Sequence, residues 1–230
     1  MNINIVFEDK NILVAEKPQG VPSQKDKTEA PDLNSYLMEY LNLKNPKDLN
    51  IINRLDRPVG GLVLFGKTSE ATKALARDVQ ARSIKKDYIA VVEGRLETEV
   101  AELKDYITKN SKSNLSKITD QSDPSAKQAI LSYKLLATKG NLSLLNIRLK
   151  TGRHHQIRVQ LAHHGLPIWG DTKYNPGFSN VDSWTNIALW SYKLSLRHPV
   201  KKKIITLYSL PLLEYPWTEF RDELESLTAK

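Results

Sequence analysis

Ile51-Ile52-Asn53-Arg54-Leu55-Asp56-Arg57-Pro58-Val59-Gly60-Gly61-Leu62-Val63-Leu64-Phe65 joins a polar loop to an unbroken apolar run, and the fold of the chain is read outward from it. A continuous apolar run of this kind is found in strands buried on both faces. Pro58 fixes one backbone angle, and Gly60 and Gly61 allow the chain to pass close to a neighbour or a ligand. Asp56 lies between Arg54 and Arg57. Two readings of it stay open: an exposed ion pair beside a turn, which is common and weak, or a carboxylate in a pocket kept ionised by the adjacent arginine and available as a nucleophile.

Upstream, Ile3–Phe7 and Ile12–Glu16 read as short strands joined by Glu8-Asp9-Lys10-Asn11 and stopped by Lys17-Pro18-Gln19-Gly20. Leu33, Tyr36, Leu37, Tyr40 and Leu41 have helical spacing after Pro31-Asp32. Downstream, Thr68 or Ser69 caps a helix that carries Ala71, Ala74, Leu75, Val79 and Arg82 on one side, and Tyr88–Glu93 forms a strand. Residues Lys109–Lys127, rich in Ser, Asn, Lys and Asp, read as an exposed connection without chemistry. Ala129–Thr138 and Leu142–Lys150 form a hairpin about Lys139-Gly140-Asn141. A short helix over His154–His164, strands at Ile187–Leu196 and Ile204–Leu210, and a helix at Trp217–Leu227 follow. No regular alternation of strand and helix appears, so the expectation is one α+β domain with a mostly antiparallel sheet.

The 230 residues suffice for a sizeable core in one or two domains. A net charge of +8, from 34 Lys and Arg against 26 Asp and Glu, attracts anions such as nucleic acid without identifying them. The absence of cysteine excludes disulfides, thiolate catalysis and Cys-based metal sites. The first residues fit neither a signal peptide nor a membrane span, which makes a cytoplasmic protein the default.

Thr151-Gly152-Arg153-His154-His155-Gln156-Ile157-Arg158-Val159-Gln160 is the second dense constellation. If helical from His154, it places His155, Arg158 and Ala162 on one face, where Arg153 and Arg158 are either solvated charge or an anion contact. The pairs His154-His155 and His163-His164 lie eight residues apart with no carboxylate between them, which speaks against a helical zinc motif. Tyr88, after Lys85-Lys86-Asp87, is either a core-packing ring or a stacking platform for an unstacked base. Trp169, Tyr174, Trp184 and Trp190 read as packing residues.

Taken together these segments resemble the RluA-type family of pseudouridine synthases. The family pattern H-R-L-D-x-x-T-S-G is similar to Asn53–Gly61, K-P-x-G to Lys17–Gly20, and K-x-Y-x-A to Lys86–Ala90. T-G-R-x-H-Q-I-R matches Thr151–Arg158, and G-x-P-I-x-G-D-x-x-Y matches Gly165–Tyr174. Five elements in family order are a specific signal. Asn53 replaces the family His, and Val59-Gly60 replaces Thr-Ser.

The resemblance implies a pseudouridine synthase catalytic fold, a mostly antiparallel mixed sheet flanked by helices and loops, over residues 1–230 as a single domain. With 16 residues before Lys17, no separate amino-terminal RNA-binding module is expected. It further implies isomerisation of a flipped-out uridine in ribosomal or transfer RNA, without cofactor or metal. Asp56 would be the nucleophile, Tyr88 the stacking surface and proton acceptor, and Arg158 the ion-pair partner of Asp56. Arg54 would enter the gap left by the base, and Lys17, Lys86, Arg153 and His155 would contact RNA, with Lys85 and Lys173 nearby. No membrane and no obligatory protein partner are expected, and the chain is expected to act as a monomer. The rival readings are a noncatalytic RNA-binding protein of the same fold and a glycosidic hydrolase, the latter lacking a well-placed second carboxylate.

Overall fold

The structure is a computed structural model that describes residues 3–26, 28–96, 98–179 and 185–228. The chain divides into two compact units, Met1–Lys86 with Trp190–Pro211, and Asp87–Leu189 with Leu212–Lys230.

The chain begins with β1 (Ile5–Glu8), β2 (Ile12–Lys17), α1 (Leu33–Tyr40), β3 (Asn50–Ile51), β4 (Gly60–Gly66) and α2 (Ser69–Gln80). Next come β5 (Lys85–Glu93), β6 (Val100–Asn110), β7 (Leu115–Thr119), β8 (Lys127–Lys139), β9 (Leu142–Leu149) and α3 (Gln156–His163). The last elements are β10 (Leu189–Arg197), β11 (Ile204–Tyr208), a 3-10 turn over Trp217–Phe220 and α4 (Arg221–Ser226). The fold is α+β, as the order of elements predicts.

In the first unit β4 pairs antiparallel with β2 and β3 and parallel with β10, while β1 flanks β2 and β11 flanks β10. Every residue of β4 is buried, which is what its unbroken apolar sequence requires. Leu62 and Leu64 pack with Ile12, Val14, Leu194 and Leu196, and Ala71 and Leu75 of α2 join this core. Thr68 caps α2 through its hydroxyl, which accepts from Ala71 N, and Asp32 caps α1 by accepting from Ser35 N. The buried face of α2 is shorter than its spacing suggests. Val79 is exposed, and Arg82 lies past the helix end with a positive φ of 56°.

In the second unit β5, β9, β8, β6 and β7 pair antiparallel in that order. The hairpin of β8 and β9 forms where it was expected. The segment expected as an exposed connection does not: the end of β6 and the whole of β7 form a second hairpin, with Ile107 opposite Ile118. Its polar sequence has a physical cause. The pair presents one wet face, and β7 is the last strand of its unit's sheet, where charged side chains discourage further pairing. Ile107, Ala129 of β8 and Val159 of α3 form a small core beneath it.

Candidate active site

Asp56 and its loop belong to the first unit, and the local sequence holds that loop from three sides. Val59 N donates to Asp56 O at 3.0 Å and closes a turn around Arg57-Pro58. Ser23 Oγ donates to Leu55 O at 2.8 Å and accepts from Leu55 N at 3.1 Å. The Lys17–Gly20 segment supplies the third side, because Gly20 N donates to Arg57 O and Gln19 Nε2 to Pro58 O.

Lys17 corrects an expectation. The motif resemblance implies an RNA contact, yet its side chain is fully buried and its ammonium donates to Pro18 O, Val21 O and Arg57 O at 2.9, 2.7 and 3.1 Å. Burial pushes its pKa down to about 7, while the negative charge of Asp56 works the other way. Lys17 is therefore an internal clamp on the Asp56 loop. Asp56 is half-buried, and Arg54 and Arg57 are exposed.

The two departures from the family pattern acquire structural roles here. The Asn53 side chain donates to Leu62 O at 3.3 Å and accepts from Leu64 N at 2.8 Å, so it bridges the loop to β4. At Gly60 the indole of Trp190 occupies the place of a side chain: a Cβ there would lie 2.0 Å from the ring. Trp190 in turn donates to Ser209 Oγ, which donates to Glu16 Oε2.

Tyr88 and Arg158 belong to the second unit. Tyr88 is buried on β5 opposite Ile147 of β9. Lys86, two residues before it, is half-buried, and burial lowers its pKa. Arg158 is buried on α3, and its guanidinium forms a two-pronged pair with Asp171, Nε to Oδ2 at 2.8 Å and Nη2 to Oδ1 at 2.6 Å. The same carboxylate accepts from Lys173 N and Tyr174 N. The Arg158 guanidinium also lies 5.2 Å from the centre of the Tyr174 ring. A buried cation so held is fixed in position and is not solvated helix charge.

α3 starts at Gln156, not His154, and His155 precedes it in a left-handed conformation with φ 52°. His155 therefore does not share a helical face with Arg158. It is buried, stacked on His154 with 3.7 Å between ring centres, and its Nδ1 lies 2.8 Å from Tyr174 Oη. Tyr174 Oη also accepts from Ser116 N at 2.8 Å, so it links the imidazole to β7. Burial first, and then the charges of Arg158, His154, Lys173 and Lys109, push the pKa of His155 down to about 2. The expected contact of His155 with RNA is thus replaced by an internal one. Arg153 is half-buried, with Nε donating to Gln128 O.

Sequence reasoning left Asp171, Ser116 and Gln156 without a role and read Tyr174 only as packing, whereas its hydroxyl bonds His155 and Ser116. The G-x-P-I-x-G-D-x-x-Y element already contained Asp171 and Tyr174. Ser116 was hidden in the segment read as a connection. Trp169 packs edge-on against Phe178 and Tyr215, as expected of a packing residue, whereas Trp184 lies outside the described residues.

A family profile described as RNA pseudouridylate synthase matches residues 11–163. The "Ribosomal large subunit pseudouridine synthase D" of Haemophilus influenzae is 29% identical over 97% of this chain and 74% of its own length. The protein of the same description from Borreliella burgdorferi is 32% identical over 84% of this chain, which spans 61% of that relative. Among solved structures, "Human RNA Pseudouridylate Synthase Domain Containing 1" superposes with a TM-score of 0.75 at 17% identity, covering 100% of this chain and 96% of the other, a likeness of fold.

Proposed function

The chain belongs to the RNA pseudouridylate synthase family, and from that premise we propose that it isomerises uridine to pseudouridine in ribosomal or transfer RNA with Asp56 as the nucleophile. The observation that carries the assignment of Asp56 is the clamp around it. Lys17, Ser23 and Gly20 hold the backbone at Leu55 and Arg57, on both sides of Asp56. A group that must meet a reacting carbon needs such rigid support.

In the proposed reaction the bond from the ribose anomeric carbon to uracil N1 breaks, the base turns, and uracil C5 joins the ribose. The C5 proton leaves, and N1 ends protonated. The uridine must first be unstacked, at a cost of a few kcal/mol. Arg54, exposed beside Asp56, is proposed to fill the vacated place in the RNA stack, and Tyr88 to stack on the everted base and accept the proton. Arg158, whose guanidinium is held in place by Asp171, is proposed as the cation that keeps Asp56 ionised while RNA excludes water. Lys86 and Arg153, with Lys173, would meet phosphates. Lys17 and His155 support the loop and the helix from within. Both units are taken as one catalytic domain, since the family match runs through residues of each. Action as a monomer in the cytoplasm, without cofactor or protein partner, completes the proposal.

The test is incubation with ribosomal and transfer RNA transcripts tritiated at uracil C5. Release of tritium without free uracil is the expected outcome. Free uracil would identify a hydrolase, and RNA retention without either product a noncatalytic binder.

A further inference from the structure

The pair His163-His164 lacks a nearby carboxylate in the sequence, but the fold brings one to it. Asp105 on β6 stands against the C-terminal end of α3, and the ligand atoms of Asp105, His163 and His164 all lie within 4.8 Å of one another. His164 Nε2 is 3.2 Å from each oxygen of Asp105. Ligand atoms around a tetrahedral zinc ion are separated by about 3.4 Å for bonds of about 2.1 Å, so Asp105 and His164 already stand one coordination edge apart. His163 is the last residue of α3 and exposed, with its ligand nitrogen within 4.8 Å of those of Asp105 and His164.

The supporting contacts favour a ligand role over a chance ion pair. Gln160, fully buried, donates from Nε2 to Asp105 Oδ2 at 2.6 Å and orients the carboxylate. Gln160 Oε1 accepts from Gln156 Nε2 at 2.9 Å, and Gln156 Oε1 accepts from Thr151 Oγ1 and Arg153 N. Metal-ligating carboxylates are held in this manner by outer hydrogen bonds, which orient the ligand before the ion arrives. Two imidazoles and one carboxylate select borderline divalent ions of the zinc class, whereas magnesium and calcium prefer oxygen ligands.

We propose that Asp105, His163 and His164 form a zinc-binding site, with water completing the tetrahedron, that ties the last turn of α3 to β6. The site lies within the second unit and is independent of the proposed RNA chemistry. Its effect falls on the helix that carries Arg158, whose C-terminal end it anchors.

The experiment is calorimetric titration of the untagged full chain with zinc chloride in a non-coordinating buffer, alongside magnesium and calcium chlorides. One saturable zinc site is expected, with no comparable heat from the other two ions, and its affinity falls at least tenfold in each of Asp105→Asn, His163→Ala and His164→Ala. Asp105→Asn keeps an oxygen for Gln160, and both histidines are exposed, so melting curves of the metal-free variants should stay near that of the parent. Zinc should raise the melting temperature of the parent by a few degrees and leave the variants unmoved. Cobalt(II) gives a second reading, as a visible d–d band expected in the parent and absent from His163→Ala. No saturable zinc binding, equal binding of magnesium, or a ligand variant that retains the parent's affinity would each overturn the proposal. His163→Ala is the most discriminating, because an Asp105–His164 ion pair alone has no need of that side chain.

Discussion

Lys17 shows how a charge that looks like an RNA contact in sequence becomes part of the scaffold. Its ammonium satisfies three carbonyls, one of them on Arg57 beside the proposed nucleophile. Lys17→Met fills similar volume but strands those carbonyls, and we expect a loss of about 3 kcal/mol in urea unfolding together with a lower turnover at unchanged RNA affinity. His155 makes a pH prediction. Its pKa is pushed from 6.5 to about 2 in the folded protein, so between those values the unfolded chain binds the extra proton. Stability from this group is therefore complete above pH 6.5 and is lost as the pH falls. At pH 5 the loss is about 2 kcal/mol. His155→Asn keeps a side chain that can donate to or accept from Tyr174 and tolerates the left-handed backbone, so denaturation at pH 7 and pH 5 should differ less in that variant than in the parent.

At the scale of elements, β4 was the most legible part of the chain, since an apolar run buried on both sides has few alternative explanations. The β6–β7 hairpin was the least legible. Its wet face and its position at the end of a sheet make strand sequence look like loop sequence, and only pairing with β8 reveals it. α3 starts two residues later than the spacing predicts because a left-handed His155 turns the chain where the spacing still reads as helix. Trp190 and Gly60 couple β10 to β4 in a way that no local pattern discloses. Gly60→Ser, which restores the family residue, must displace the indole and should cost about 3 kcal/mol. Combined with Trp190→Leu, the cost should be smaller than the sum of the two single changes by at least about 1 kcal/mol, which a double-mutant cycle in urea measures.

For the whole molecule, motif order made the reaction class readable from sequence, whereas the parts that hold the site came from the fold. Asp56 and Arg158 stood out because arginines and glycines cluster around them. The contact of Ser116 with Tyr174 did not, because it joins segments 58 residues apart in the chain. The excess of 34 basic over 26 acidic residues should appear in binding. RNA affinity measured by filter retention should fall at least about tenfold between 50 and 200 mM salt as phosphate contacts displace counterions. The most direct measurement compares the parent and Asp56→Asn on one RNA that the parent modifies, reading pseudouridine by mass spectrometry and binding in the same samples. A variant that binds the RNA as tightly as the parent yet forms no pseudouridine is the predicted result, and any product at a rate near the parent's would contradict the assignment of Asp56 as nucleophile.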